Sequence, residues 1–130
     1  MEIVIVGLGP GDPGLLTREA WEVIEAADEL WLRTAHHPTV EALPPDLACR
    51  SFDPLYESAE EFPEVYRAIA EEVLRLGRRP EGVVYAVPGH PMVGEATVQR
   101  ILAQALAEAL PVRIVAGLSF VEPTLTLLGL

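Results

Sequence analysis

"IVIVGLGPGDPGLLT", residues 3–17, decides how this chain reads. Ile3 to Val6 is a short β-branched run that stops at glycine, the pattern of a buried strand. Gly7 to Gly14 then carries four glycines and two prolines, a composition that cannot continue a strand and delays a helix. Thr17 can cap the helix expected next, through about Ala27, with Trp21, Ile24 and either Ala20 or Ala27 turned inward. Strand, glycine loop and helix in succession open a parallel α/β sheet.

The same alternation continues downstream. Leu30 to Arg33 reads as a second strand, and residues 37–46 as a helical turn closed by Pro44-Pro45. Cys49 to Phe52 reads as a brief third strand. Residues 63–77 form the clearest helix: Pro63 suits its first turn, Val65, Ile69, Val73 and Leu76 share a face, and Gly77 stops it. Val83 to Val87 is a fourth strand, Gly94 to Ala109 a helix, Pro111 to Val115 leads into a fifth strand, and Leu118 to Leu128 makes a last helix. Most strands are apolar throughout, as strands covered on both faces are. The expected fold is therefore α/β, a single domain of about five mostly parallel strands with helices on both faces. Three loops lie at strand carboxyl ends, where such sheets bind ligands: Gly7–Gly14, Pro88–Glu95 and Gly117–Phe120.

Composition narrows the function. The chain has 130 residues, enough for one domain with a real core. Nine basic residues stand against 20 acidic ones, a net charge of −11, which opposes nucleic acid and anionic membrane surfaces as partners. A small molecule or another protein is the expected partner. The single cysteine, Cys49, allows no internal disulfide and reads as a small half-buried side chain. The N-terminus lacks the basic flank of a signal peptide and no run is long enough to span a membrane, so the expected location is the cytoplasm. The apolar tail "SFVEPTLTLLGL", residues 119–130, is expected either to dock or to continue into a further domain.

Several familiar chemistries fail on spacing. Gly7-x-Gly9-x-x-Asp12 puts a carboxylate where the dinucleotide fingerprint wants a third small residue beside a pyrophosphate. His36, His37 and His90 are the only histidines, and no further ligands stand at metal-site spacing around them. Glu57-x-x-Glu60 and Glu61-x-x-Glu64 could hold magnesium only with a suitably spaced later E-x-x-D partner on a second helix, which is lacking, so they read as a solvated face. Ser119 shows no histidine or acid partner, which argues against a hydrolase nucleophile.

Three stretches together carry a resemblance. "GLGPGDPGLLT" (7–17), "VVYAVPGHPMVGE" (83–95) and "VRIVAGLSFVEPTL" (112–125) resemble, in order and in placement, the motifs of the tetrapyrrole methylase family, the class III S-adenosylmethionine-dependent methyltransferases. "LRTAHHPTV" (32–40), Pro-Gly-His-Pro and "GLSFVEPTL" (117–125) look most like the branch fused ahead of a MazG-type nucleotide pyrophosphohydrolase. The resemblance covers the whole chain and implies that residues 1–130 are the N-terminal half of that fold, the second methylase domain and any pyrophosphohydrolase domain lying outside them. It implies S-adenosylmethionine as cofactor, a small-molecule methyl acceptor that is tetrapyrrole-like or unknown, and a homodimer. By resemblance Pro10, Pro88, Gly89, His90, Val93, Ser119 and Phe120 line the cofactor, with no obligatory catalytic side chain and no metal. Phe120 stays open between cofactor contact and core, and His90 between polar contact and turn residue. His90 stands where the family has aspartate, which removes any contact from that carboxylate and favours, as the alternative, a degenerate regulatory or dimerisation module of the fused pyrophosphohydrolase.

Overall fold

A computed structural model describes residues 1–130. Five strands form one sheet: β1 (Ile3–Gly7), β2 (Glu29–Leu32), β3 (Ala48–Ser51), β4 (Val83–Val87) and β5 (Val112–Val115). Their spatial order is β3-β2-β4-β1-β5, and every pairing is parallel. The five helices are α1 (Arg18–Ala26), α2 (Asp53–Ser58), α3 (Phe62–Gly77), α4 (Ala96–Ala107) and α5 (Val121–Leu128). The expected α/β domain of five parallel strands is the one found.

Strand alternation splits the core in two. Ile3 and Ile5 of β1, with Val83, Tyr85 and Val87 of β4, face α3 and α4. Val4 and Val6, with Leu30, Leu32, Ala86 and Val115, face α1 and the short 3-10 helix Pro38–Ala42. β1 is buried at all five residues because it is central and covered on both sides. The helix over 63–77 holds its predicted face: Val65, Ile69, Val73 and Leu76 are all buried.

Four local readings change. The inward residues of α1 are Ala20 and Ile24, while Trp21 is only half-buried. Cys49 is exposed rather than half-buried, because β3 is the outer strand of the sheet and Ala48 to Arg50 all face solvent. A helix missing from the sequence reading, α2, begins at Asp53 with Pro54 in its first turn. Asp53 anchors that start by accepting from the Thr34 hydroxyl (2.6 Å), the Ala35 N–H (2.9 Å) and the Ser51 hydroxyl (3.0 Å). The last helix starts at Val121 rather than Leu118, and none of its residues is buried. No helix is long and apolar enough to cross a membrane.

Candidate functional site

β1 sits between β4 and β5, so the chain leaves β1 toward one side of the sheet and returns on the other side through β5. A crevice beyond the strand ends is expected at such a reversal. The three loops that follow β1, β4 and β5 meet there, backbone against backbone. A methyl group placed on Gly7 would lie 2.5 Å from the Gly89 carbonyl oxygen and 2.8 Å from the Gly117 nitrogen. Only residues without a Cβ permit that approach. The Gly9 N–H donates to Gly89 O (3.2 Å) and the Gly89 N–H to Gly9 O (2.8 Å), tying the first loop to the second. Thr17 ties the first loop to the third: its hydroxyl donates to Ala116 O (2.9 Å) and accepts from the Ala20 N–H at the start of α1 (3.0 Å).

Above this crossing lies a cleft of about 250 Å³ lined by Gly9, Pro10, His37, Pro88, Gly89, His90, Val93, Gly94, Glu95, Ser119 and Phe120. All seven residues predicted for a cofactor site border it. Phe120 is 65% exposed, which removes its core alternative. His90 serves the turn as well as the cleft, since its Nδ1 accepts from the Met92 N–H (3.0 Å). The Gly89 N–H is already committed to Gly9 O, and glycine suits this position by its φ of 67°, since a Cβ there would meet nothing closer than 3.8 Å. The N–H groups of His90 and Ser119, by contrast, donate to no group of the chain. Ser119 does have an acid partner: its hydroxyl donates to Glu122 Oε2 at 2.6 Å, so it is a held donor and not an activated nucleophile.

Four cleft residues were missing from the sequence prediction: Gly9, His37, Gly94 and Glu95. His37 donates from Nε2 to Gly9 O (3.0 Å) and accepts at Nδ1 from the Thr39 N–H (3.3 Å). Those two bonds fix its tautomer, and burial holds its pKa below the ordinary histidine value. His36, its neighbour in sequence, points to solvent, 3.9 Å from Asp53. Glu95 is the one carboxylate in the cleft wall, with a side chain only 8% exposed. Arg33 Nε lies 3.2 Å from Glu95 Oε1, close enough for charge attraction. The guanidinium also donates from a terminal nitrogen to the Tyr56 hydroxyl at 2.9 Å. Burial outweighs the attraction of Arg33 and pushes the Glu95 pKa up to about 7.

Likeness to known proteins follows the same geometry. Residues 2–130 match the family model of the Tetrapyrrole (Corrin/Porphyrin) Methylases. An uncharacterized protein of Bacillus subtilis (strain 168), YabN, is 41% identical over 128 residues, which span 98% of this chain and 26% of YabN. Uroporphyrin-III-C-methyltransferase from Thermus thermophilus superposes with a TM-score of 0.70 at 25% identity, over 99% of this chain and 53% of the enzyme. A structure of the same enzyme complexed with S-adenosyl homocysteine gives a TM-score of 0.63 at 26% identity, over 100% of this chain and 52% of the enzyme. Diphthine synthase shares the fold, with a TM-score of 0.70 at 21% identity. The chain thus spans about half the length of these enzymes and a quarter of YabN. With its fold and its match along residues 2–130, the chain belongs to the tetrapyrrole methylases.

Proposed function

We propose that residues 1–130 are the N-terminal half of an S-adenosylmethionine-dependent methyltransferase, and that the cleft over the three-glycine crossing holds part of the cofactor. The observation that carries this reading is the convergence of Pro10, Pro88, Gly89, His90, Val93, Ser119 and Phe120 on one cleft at the reversal of the sheet. The likeness to a methyltransferase complexed with S-adenosyl homocysteine, along the whole chain, supports it.

The cleft suits such a ligand in kind and is short of it in size. Pro10, Pro88, Val93 and Phe120 offer apolar surface, and the unpartnered N–H groups of His90 and Ser119 offer donors. Gly94 has nothing within 4 Å of where a Cβ would stand, so the wall there is open. At about 250 Å³ the cleft falls below the roughly 300–1,000 Å³ of a small-molecule pocket, as half a site should. When bound, the cofactor supplies a methyl group already activated on a sulfonium. The chain's part is to bind, orient and exclude water. Pro88 and Pro91 stiffen the second loop in advance, which lowers the ordering cost of binding. In the intact protein a second methylase domain closes over this half, against the exposed apolar residues of α5, and brings a small-molecule acceptor, tetrapyrrole-like or of another class. We place that protein in the cytoplasm, as a homodimer, in the branch fused to a MazG-type pyrophosphohydrolase; YabN's length leaves room for such further domains.

A second reading rests on His90. Without the aspartate the family carries there, the domain serves as a non-catalytic regulatory or dimerisation module of the fused pyrophosphohydrolase. Calorimetric titration of S-adenosylmethionine and S-adenosylhomocysteine into this chain and into the longer natural protein separates the possibilities. Weak binding to the short chain and micromolar binding to the long one is expected. Micromolar binding to the short chain would overturn the half-site reading, and no binding to the long one would overturn the methyltransferase reading in favour of the module.

A further inference from the structure

Resting on the methyltransferase reading, we propose that Glu95 is the proton acceptor for the methyl-accepting atom. Methyl transfer to an atom that carries hydrogen must dispose of a proton. In that step the bond from methyl carbon to sulfur breaks, and its electron pair stays on sulfur. A bond forms from the acceptor atom to the carbon, and the proton leaves the acceptor atom for a base.

The side chains of the cleft leave one base. His37 uses both ring nitrogens, one donating to Gly9 O and one accepting from the Thr39 N–H. His90 has its accepting nitrogen, Nδ1, engaged by the Met92 N–H, which leaves Nε2 as a donor. The Ser119 hydroxyl is spent on Glu122. Glu95 borders the same cleft, and its one close polar contact is Arg33, whose Nε lies 3.2 Å from Oε1. The charged and titratable groups around it come from every neighbouring element: Arg33 after β2, Tyr56 of α2, Tyr85 of β4, and His37 and His90 at the cleft rim. Arg33 is the only cation among them held against it, through a single contact of 3.2 Å, while its guanidinium also donates to the Tyr56 hydroxyl. Burial outweighs this one cation and leaves the carboxyl titrating near neutrality, where a general base works best. Its 8% exposure offers the proton a way on to water.

The test compares two ligands that differ by one methyl group and one positive charge. The longer natural protein is prepared with ¹³C-carboxyl glutamate, and the Glu95 resonance is assigned by its loss in Glu95→Gln. Its titration is followed with S-adenosylmethionine and with S-adenosylhomocysteine. A carboxylate poised at the reacting end feels the sulfonium, so its midpoint falls with S-adenosylmethionine relative to S-adenosylhomocysteine by on the order of 0.5–2 pKa units. Equal midpoints with both ligands bound would overturn the proposal, because Glu95 would then lie away from the transferred methyl. Calorimetric failure of both ligands to bind would overturn the methyltransferase reading itself and with it this role.

Discussion

Replacing Gly7 by alanine places a methyl group where three backbones cross. Its Cβ would lie 2.5 Å from Gly89 O, 2.8 Å from Gly117 N and 2.9 Å from Gly117 Cα. Ordinary contact begins at 3.4 Å, so the Gly89 carbonyl must retreat by about 0.9 Å. All three neighbours are main chain, and no side-chain rotation relieves the overlap. Overpacking of this kind costs about 1–3 kcal/mol. Retreat of Gly89 also strains its two hydrogen bonds to Gly9, each contributing about 0.5–1.5 kcal/mol. The reduced freedom of the unfolded chain returns about 0.4–1 kcal/mol. The net expectation is a loss of about 2 kcal/mol and a Tm lower by roughly 6–10 °C in a thermal melt followed by circular dichroism. Gly94→Ala is the control. Nothing lies within 4 Å of its Cβ, and only its φ of 69° is unfavourable, a cost of about 1 kcal/mol. If Gly7→Ala melts no lower than Gly94→Ala, the crossing is not the close contact described here and the cleft does not depend on it.

Thr17→Ala removes both the cap of α1 and the link to Ala116, and a denaturant titration should show a loss of about 1–2 kcal/mol, largely restored by serine. Tyr85→Phe leaves the buried Thr97 hydroxyl without its 2.9 Å partner; about 1–2 kcal/mol of stability should go with no change in the far-ultraviolet spectrum, and an unchanged midpoint would place water there instead. For Glu95 the folded pKa of about 7 exceeds the ordinary carboxylate value of 4.5. Its protonated form is the one that folding favours, so its contribution is complete below about pH 4.5 and is lost as the pH rises through 7. Unfolding free energy should therefore fall by up to about 3 kcal/mol across that window, and Glu95→Gln should flatten the slope; a wild-type curve already flat from pH 5 to 7.5 would refute the burial argument.

Apolar patterning carried most of the fold. The face Val65, Ile69, Val73 and Leu76 states its own structure because burial on a helix repeats with a fixed period, and the runs Ile3–Val6 and Val83–Val87 state theirs because strands covered on both faces are apolar throughout. The misreadings fall where tertiary placement decides. Cys49 sits in a strand as expected, but nothing local tells that β3 ends the sheet and turns Ala48 to Arg50 to solvent. α2 is six residues long, too short for a periodic signal, and it is started by Asp53 holding Ser51 two residues back and reaching Thr34 across the chain, a contact between separate segments. Ser119 lacked a visible acid for a different reason: Glu122 stands three residues on, at the spacing of one helical turn, but only the turn before α5 brings the two together.

The site was legible as loops and illegible as chemistry. Proline and glycine mark strand ends from sequence alone, and the seven residues that the family resemblance implies on those loops border one cleft. What the glycines are for is a relation between chain segments about 80 and 110 residues apart: Gly7 is small because Gly89 and Gly117 pass against it. Glu95 illustrates the limit best. In sequence it is no more than the last residue of the loop Pro88–Glu95. Its environment comes from elsewhere: Arg33 arrives from the end of β2, and Tyr85 closes the space beneath from β4. The parallel sheet places β2 beside β4 and so sets Arg33 against the loop that carries Glu95. The same topology that makes the crevice thus withdraws that carboxylate from water, and the perturbed acid and the cleft have a single structural origin.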